Sequence, residues 1–404
     1  MPSLLWVVLG TWVLLQAASV FCVFMYWRYV PAAGVPARAG RARVIVPVRG
    51  AGAGLARFLR SLDGQAYRDW QAVFVVEDGA DPAWPVLSAY AAQRPGRAQV
   101  EVAGLAADEG QKVHNLRAGL ACVAPDDRYI VFADADGELP PHFLGRLLFP
   151  LERGRCDIAT SYRLIHPADE RAGSLLAAAV NLQVATFARY RPWNVPWGGG
   201  TAMTQATCRR LALADSWRGV LSDDLWLARL ARREGLHIRM QRDVLVASPA
   251  RMGLAQCLAF GVRQYRHAWL SRRRLWLVAA AFLGAQALGW LAWAATLAVD
   301  PRAAFWALAA AYAASWARAV LRAGIIVRIH GREGLQRMRP ALWLDMAAPF
   351  VAVLAHAAMV AVAAGSRRIR WAGCEYWLRR GRVVRMARDA GPQAHVPASG
   401  VPPA

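Results

Sequence analysis

Lysine is almost absent from this chain: of 49 basic residues only Lys112 is not arginine. A composition that has traded lysine away elsewhere, as a GC-rich genome favours, keeps one ammonium in the segment DEGQKVHNL. Chance retention is one account. The other is a need for a compact point charge, as phosphate sites use, which the planar arginine fork does not reproduce. Cysteine is sparse too. Cys22, Cys122, Cys156, Cys208, Cys257 and Cys374 show neither Cys-x-x-Cys spacing nor a local Cys/His cluster. A thiolate metal site has no support from that pattern, and the six read as small buried hydrophobes in a reducing compartment. Nor does any nucleic-acid-binding signature accompany the formal charge of +22.

What the chain does have is apolar sequence. Its 404 residues are 56% hydrophobic, with mean hydropathy +0.22, too high for a purely soluble protein of this length. Residues 4 to 27 carry no charge and are long enough to cross a bilayer. Arg28, Arg38, Arg41 and Arg43 follow, so the segment reads as an uncleaved signal anchor with its C-terminal side in the cytoplasm. The basic excess admits nucleic acid, anionic lipid or phosphorylated ligands. Placement favours an anionic membrane surface, because Arg272, Arg273 and Arg274 precede one apolar span and Arg367, Arg368 and Arg370 follow another.

The expected organisation is an anchor over 1–30, a linker over 31–42 and an α/β catalytic domain over 43–250. An interfacial helix over 251–274, membrane helices over 275–364 and a basic, partly disordered tail over 365–404 complete it. Within the catalytic domain, continuous apolar strands such as RVIVPV and AVFVVEDG alternate with helices, which predicts a mostly parallel sheet covered on both faces. Ligands of such sheets bind beyond the carboxyl ends of the strands, so Arg49, Asp78, Asp134 and Asp136 should share one rim.

Three segments carry candidate chemistry. The strand RYIVFADADGE ends in Asp134 and Asp136, two carboxylates able to share a divalent cation, or simply an Asp-rich surface turn. In LSDDLWLA, Ser222 is a candidate N-cap, while Asp223 and Asp224 fall in a helix's first turn, where they offset its dipole or face the rim as a general base. The loop RPWNVPWGGGTAMT reads as backbone close to a ligand or as a packed glycine turn.

Apolar segments at 275–299, 303–327 and 341–364 follow, the second carrying Arg318 and Arg322 and the third Asp345 and Pro349. Three crossings would leave the basic tail outside, against the positive-inside rule, so the third is expected to be interfacial or re-entrant.

Taken in order, VIVPVR, VVEDG, GQKVHNL, VFADAD, GGGTAM, LSDDLWLA and RQYRHAW resemble membrane-bound glycosyltransferase family 2-type enzymes of the GT-A fold. The nearest likeness is to their ceramide glucosyltransferase-like branch, over residues 1 to about 380. The resemblance implies roles for individual residues. Pro47, Arg49 and Asp78 would meet the nucleotide, with Lys112 and Asn115 beside the donor. Asp134 and Asp136 would hold Mg²⁺ or Mn²⁺ on the diphosphate, and Asp224, or else Asp223, would be the base. Arg263, Gln264 and Arg266 fall in the family's (Gln/Arg)-x-x-Arg-Trp segment, with His267 where the indole would stand.

The implied activity is an inverting hexosyltransferase. It moves one sugar from UDP-glucose or a similar UDP-hexose to a membrane lipid hydroxyl of the ceramide, hopanoid or diacylglycerol type. The implied setting is the bacterial inner membrane, multi-pass, with the catalytic domain and the reaction at the cytoplasmic face. The alternatives are a processive or exopolysaccharide-assembling glycosyltransferase, which the missing tryptophan disfavours, and a catalytically silent membrane scaffold.

Overall fold

The computed structural model describes residues 2–30, 36, 39–187 and 194–388. Most of the linker (31–35 and 37–38), the opening of the glycine loop (191–193) and the last part of the tail (389–404) lie outside the described residues. The chain divides into two compact units. One takes residues 33–164, 189–248 and 366–404; the other, helical, takes 1–32, 165–188 and 249–365.

In chain order the elements begin α1 (Pro2–Arg28), β1 (Ala42–Pro47), α2 (Ala53–Asp63), β2 (Trp70–Val76), α3 (Ala83–Ala92), β3 (Ala98–Val102) and α4 (Gln111–Ala121). Next come β4 (Tyr129–Ala133), α5 (Phe143–Glu152), β5 (Ile158–Pro167), α6 (Ala172–Ala185), β6 (Gly200–Thr204), α7 (Gln205–Arg210), α8 (Leu213–Ser216), α9 (Asp223–Arg233) and β7 (Ile238–Ala250). The seven strands form one sheet ordered β3-β2-β1-β4-β6-β5-β7. β1 pairs in parallel with β2 and β4, and β2 with β3; β6 enters antiparallel between β4 and β5.

The central strands β1, β2 and β4 are largely apolar because both sheet faces are covered there, and the period-two alternation sorts their side chains. Val44, Val46, Phe74, Val76 and Val131 pack with Leu55, Phe58 and Leu62 of α2 and with Leu144, Leu147 and Leu148 of α5. Ile45, Val73, Val75, Ile130 and Phe132 face the other way, onto Val113 and Leu116 of α4, Trp217, and Leu227 and Ala228 of α9. Gly119 lets α4 lie close: a β-carbon there would collide with Ile45 and reach 3.2 Å from Val75 Cγ2.

The helical unit adds α10 (Leu254–Ser271), α11 (Arg273–Val299), α12 (Pro301–Ala347) and α13 (Pro349–Ala363) to α1 and α6. Three helices, α1, α11 and α12, are long and apolar enough to cross a membrane. The apolar segment 341–364, expected to be interfacial or re-entrant, is not one helix: Ala348 breaks it (φ −140°), and α12 is itself interrupted at Gly331. Arg318 and Arg322, four residues apart on α12, both turn inward. Arg318 donates to Gln16 (3.0 Å), Ser19 (2.7 Å) and Ser315 (2.7 Å), while Arg322 pairs with Asp345 and donates to Thr186 (3.1 Å).

The tail is the largest departure from the sequence expectation. Over its described part it folds as a three-stranded antiparallel sheet of β8 (Arg368–Trp371), β9 (Cys374–Arg379) and β10 (Arg382–Arg388), within the same unit as the seven-stranded sheet. Both hairpins turn through paired residues of positive φ, Ala372-Gly373 and Arg380-Gly381. That is the backbone of a primed two-residue turn, whose twist matches the strands it joins. Segment 165–188, expected within the catalytic domain, belongs instead to the helical unit.

Candidate active site

Four chain segments, the end of β4, the starts of α4 and α9, and β5, deliver charged side chains to one cluster at the seven-stranded sheet. β4 is buried along its whole length and ends at Ala133, so Asp134 and Asp136 are the first polar groups past the core. Helix α4 begins after Gly110 and carries Lys112 in its first turn; α9 begins at Asp223. Gly110 N–H donates to Val220 O at 2.9 Å, and a β-carbon on Gly110 would lie 2.8 Å from Leu221 O, so the two helix starts are held together.

Lys112 is the hub. Its Nζ lies 2.7 Å from Asp134 Oδ1 and 3.7 Å from Asp223 Oδ1. Arg163, on β5, bridges from the other side, with Nη2 at 3.4 Å from Asp134 Oδ2 and 4.0 Å from Asp136 Oδ2. The glycine loop closes over the cluster. A β-carbon on Gly198 would collide with Asp223 and sit 2.8 Å from Lys112 Nζ, and one on Gly199 would lie 2.6 Å from Asp134 Oδ2. Only backbone without side chains fits there.

Burial alone would pull Lys112 down, but Asp134 and Asp223 outweigh it and hold the ammonium above its usual range. Burial likewise pushes Asp134 up, yet Lys112 and Arg163 prevail and its carboxyl sits below the ordinary value. Asp136 is raised, by burial and then, despite Arg163, by its neighbour Asp134. Asp223 is pushed up to about 6 by burial, against the pull of Lys112 and with help from Asp224 and Asp134. Asp224 is also raised, by burial. Two cations thus face four carboxylates, and the acids that rise are those the cations satisfy least.

That deficit tests whether a divalent cation fits. Asp134 and Asp136 supply oxygen donors suited to Mg²⁺ or Mn²⁺, which commonly take one or two carboxylates and complete their shell with phosphate oxygens and water. No group of three or more His, Cys, Asp or Glu able to hold a metal by itself occurs among the described residues. The donor set therefore fits a cation shared with a bound diphosphate rather than a closed protein cage.

The other expected residues are placed differently. Asp224 is tied at its own helix start: Oδ1 accepts from Ser222 Oγ (2.5 Å) and Leu225 N–H (2.6 Å). Ser222 occupies the N-cap position but its side chain makes no capping bond to the helix backbone. Asp78 lies exposed in the turn after β2, accepting from Ala80 N–H at 2.9 Å. Asn115 is buried and spent on the protein, donating to Val75 O (3.1 Å) and accepting from Gln111 (2.8 Å). Pro47 ends β1; beyond it Arg49 pairs with Glu77 (3.5 Å) and donates to Ala372 O in the β8–β9 turn. Arg263, Gln264, Arg266 and His267 lie on α10, in the helical unit.

Two residues escaped the sequence reading. Arg163 had one signal, a lone arginine inside the strand SYRLI. Trp197 lies beneath it, with the guanidinium 5.4 Å from the indole centre, and its backbone is fixed by Thr160 Oγ1 (2.9 Å).

The family model described as Glycosyl transferase family 21 matches residues 10–384. The chain belongs to that family, the ceramide glucosyltransferase family, whose fold is of the GT-A kind. The broader family 2-type resemblance is thereby narrowed to a glycosyltransferase of family 21. No curated protein matches. Among solved structures, the chain is similar to a mannosyltransferase from Pyrobaculum calidifontis in complex with GDP-Man and Mn²⁺. Identity is 18%, coverage 88% of this chain and 97% of that one, and TM-score 0.48. It is also similar to GalNAc-T7 with UDP, GalNAc and Mn²⁺, at 16% identity, 53% and 44% coverage and TM-score 0.39.

Proposed function

We propose that this family 21 glycosyltransferase moves a single hexose, with inversion, from a UDP-hexose such as UDP-glucose to a lipid hydroxyl of the ceramide, hopanoid or diacylglycerol type. The observation that carries the reading is the Lys112-Asp134-Arg163-Asp136 cluster, with two further carboxylates at the start of α9.

Lys112 and Arg163 are the chain's own cations for the leaving diphosphate, where developing negative charge must be neutralised. Asp134 and Asp136 are the proposed holders of Mg²⁺ or Mn²⁺, which would add Lewis-acid neutralisation of the same oxygens. Asp224 is the proposed base. It is half-buried, oriented through one oxygen by Ser222 and Leu225, and without the ion pair that engages the more buried Asp223. It takes the acceptor hydroxyl proton as that oxygen bonds to the anomeric carbon and the bond to the β-phosphate oxygen breaks, releasing UDP. One base and no separate nucleophile give inversion. Asp78, Pro47 and Arg49 are assigned to the nucleotide end, Asn115 to holding α4 beside it, and Arg263, Gln264 and Arg266 to an interfacial helix at the membrane.

Residues 366–388 share a compact unit with residues 39–164, which supports reading both as lying on one side of the membrane. That supports two crossings after the catalytic domain, α11 and α12, with α13 not crossing and the catalytic face in the cytoplasm of a bacterial cell. The test is to incubate membranes with labelled UDP-sugars and other nucleotide sugars and to examine the lipid extract. A single labelled glycolipid is expected; label confined to polymer would replace the reading with a processive synthase.

A further inference from the structure

The C-terminal sheet has two unlike faces. Cross-strand register puts Ile369, Tyr376 and Met386 in one row and Trp371, Cys374 and Arg388 in another, and Ile369, Tyr376, Cys374 and Leu378 are buried. The opposite face carries Arg368, Trp377 and Arg385 in one row, Arg370 and Glu375 in the next, and Arg379 at its end. Arg368, Arg370, Arg379 and Arg385 are exposed, Arg385 stands 4.7 Å over the Trp377 indole, and Glu375 is the only acid between residues 366 and 388 against eight arginines.

The sheet also grips the loops that deliver the active site, through Arg388 on the buried face and through Val383 and Arg382 of β10. Arg388 donates to Gln111 Oε1 (2.9 Å) and Ala106 O (3.0 Å), at the start of α4, one residue from Lys112. Val383 N–H donates to Gly219 O (2.9 Å) and Arg382 to Arg218 O (2.7 Å), in the loop that leads into Asp223. Arg382 also stands 4.8 Å over Trp226 of α9, and the β8–β9 turn takes Arg49.

We propose that the exposed arginine face of the C-terminal sheet docks on anionic lipid headgroups, and that this docking raises catalytic output through the loops the same sheet holds. The charge is complementary: each basic residue near an anionic leaflet is worth about a five-fold gain in affinity. An indole among arginines suits a headgroup layer, where one end of the ring is apolar and the other wet. The chain also reaches β8 only five residues after the apolar helix α13. The catalytic half of the inference rests on the proposed sugar transfer; the docking half does not.

The experiment places the full-length protein in nanodiscs of phosphatidylcholine alone or with phosphatidylglycerol, and reads hydrogen exchange and UDP-sugar turnover together. With anionic lipid, residues 368–388, 104–112 and 218–222 should exchange more slowly and turnover should rise by about five-fold or more, the worth of one basic contact. Arg368→Gln/Arg370→Gln/Arg385→Gln should lose both effects yet match the wild type in neutral discs. The corresponding triple lysine variant should keep them, because point charges suffice at a membrane surface. Salt near 1 M, where the screening length is about 3 Å, should erase them. Slowed exchange that is equal in both lipids, or that survives the glutamine substitutions, overturns the proposal. Lipid-dependent protection without turnover of any nucleotide sugar would overturn the functional reading and leave docking standing; turnover without that protection does the reverse.

Discussion

The Lys112 ammonium lies 2.7 Å from the Asp134 carboxylate, so the only lysine in the chain is in contact with one of the two aspartates that end β4. Replacing it with arginine keeps the charge but puts a planar fork where Gly198 leaves room for a single nitrogen. Lys112→Arg should lower turnover by about 100-fold, the scale for losing one preorganised charge donor. UDP-sugar turnover in purified membranes measures it; turnover near wild type would mean that the lysine is incidental.

Asp136 has no partner as close as Lys112 is to Asp134, and its carboxyl is raised rather than lowered. Asp136→Asn should leave the protein folded and remove cation-dependent turnover, and chelation of divalent ions should do the same to the wild type. Restoration by added Mn²⁺ or Mg²⁺ in the wild type alone checks the assignment. A variant that keeps full turnover ends it.

Acidification should act through α9. Asp224 is raised above the ordinary carboxyl value and Asp223 stands at about 6, and a base must be ionised to accept a proton. Turnover should therefore fall on acidification, and the fall should begin above the ordinary carboxyl value near 4. Stability of the ligand-free protein carries the opposite sign: a carboxyl raised by folding stabilises when protonated, and that contribution is lost as pH rises through about 6. A pH series of melting temperatures, flattened in Asp223→Asn, separates the two effects.

Inside the helical unit, Arg322 and Asp345 are 4% and 2% exposed and pair with each other. Asp345→Asn should cost about 3–5 kcal/mol by stranding a buried guanidinium, whereas Arg322→Met with Asp345→Leu should cost much less. Denaturant titration in micelles reads both. Equal losses for the single and double variants would show that the pair is not a unit.

Where the chain announces itself, it does so through local rules. Asp134 and Asp136 were legible because a buried strand must end before charge begins, and Lys112 because nothing else in the composition resembles it. Arg163 was not, since its meeting with Asp134 depends on β6 entering between β4 and β5, a pairing no local pattern encodes. The strands of the tail were not legible for a different reason. The tail's basic composition drew the eye, but Ile369 and then Cys374, Tyr376 and Leu378 are buried at alternating positions, and Ala-Gly and Arg-Gly mark the two turns. Net charge concealed a period of two.

Arg382 and Arg388 are translated only after α11, α12 and α13, yet they fasten loops made more than a hundred and fifty residues earlier. A nascent chain therefore reaches the membrane with its donor loops unfastened. The last fastening of the donor loops thus waits on synthesis of β10, after every helical segment.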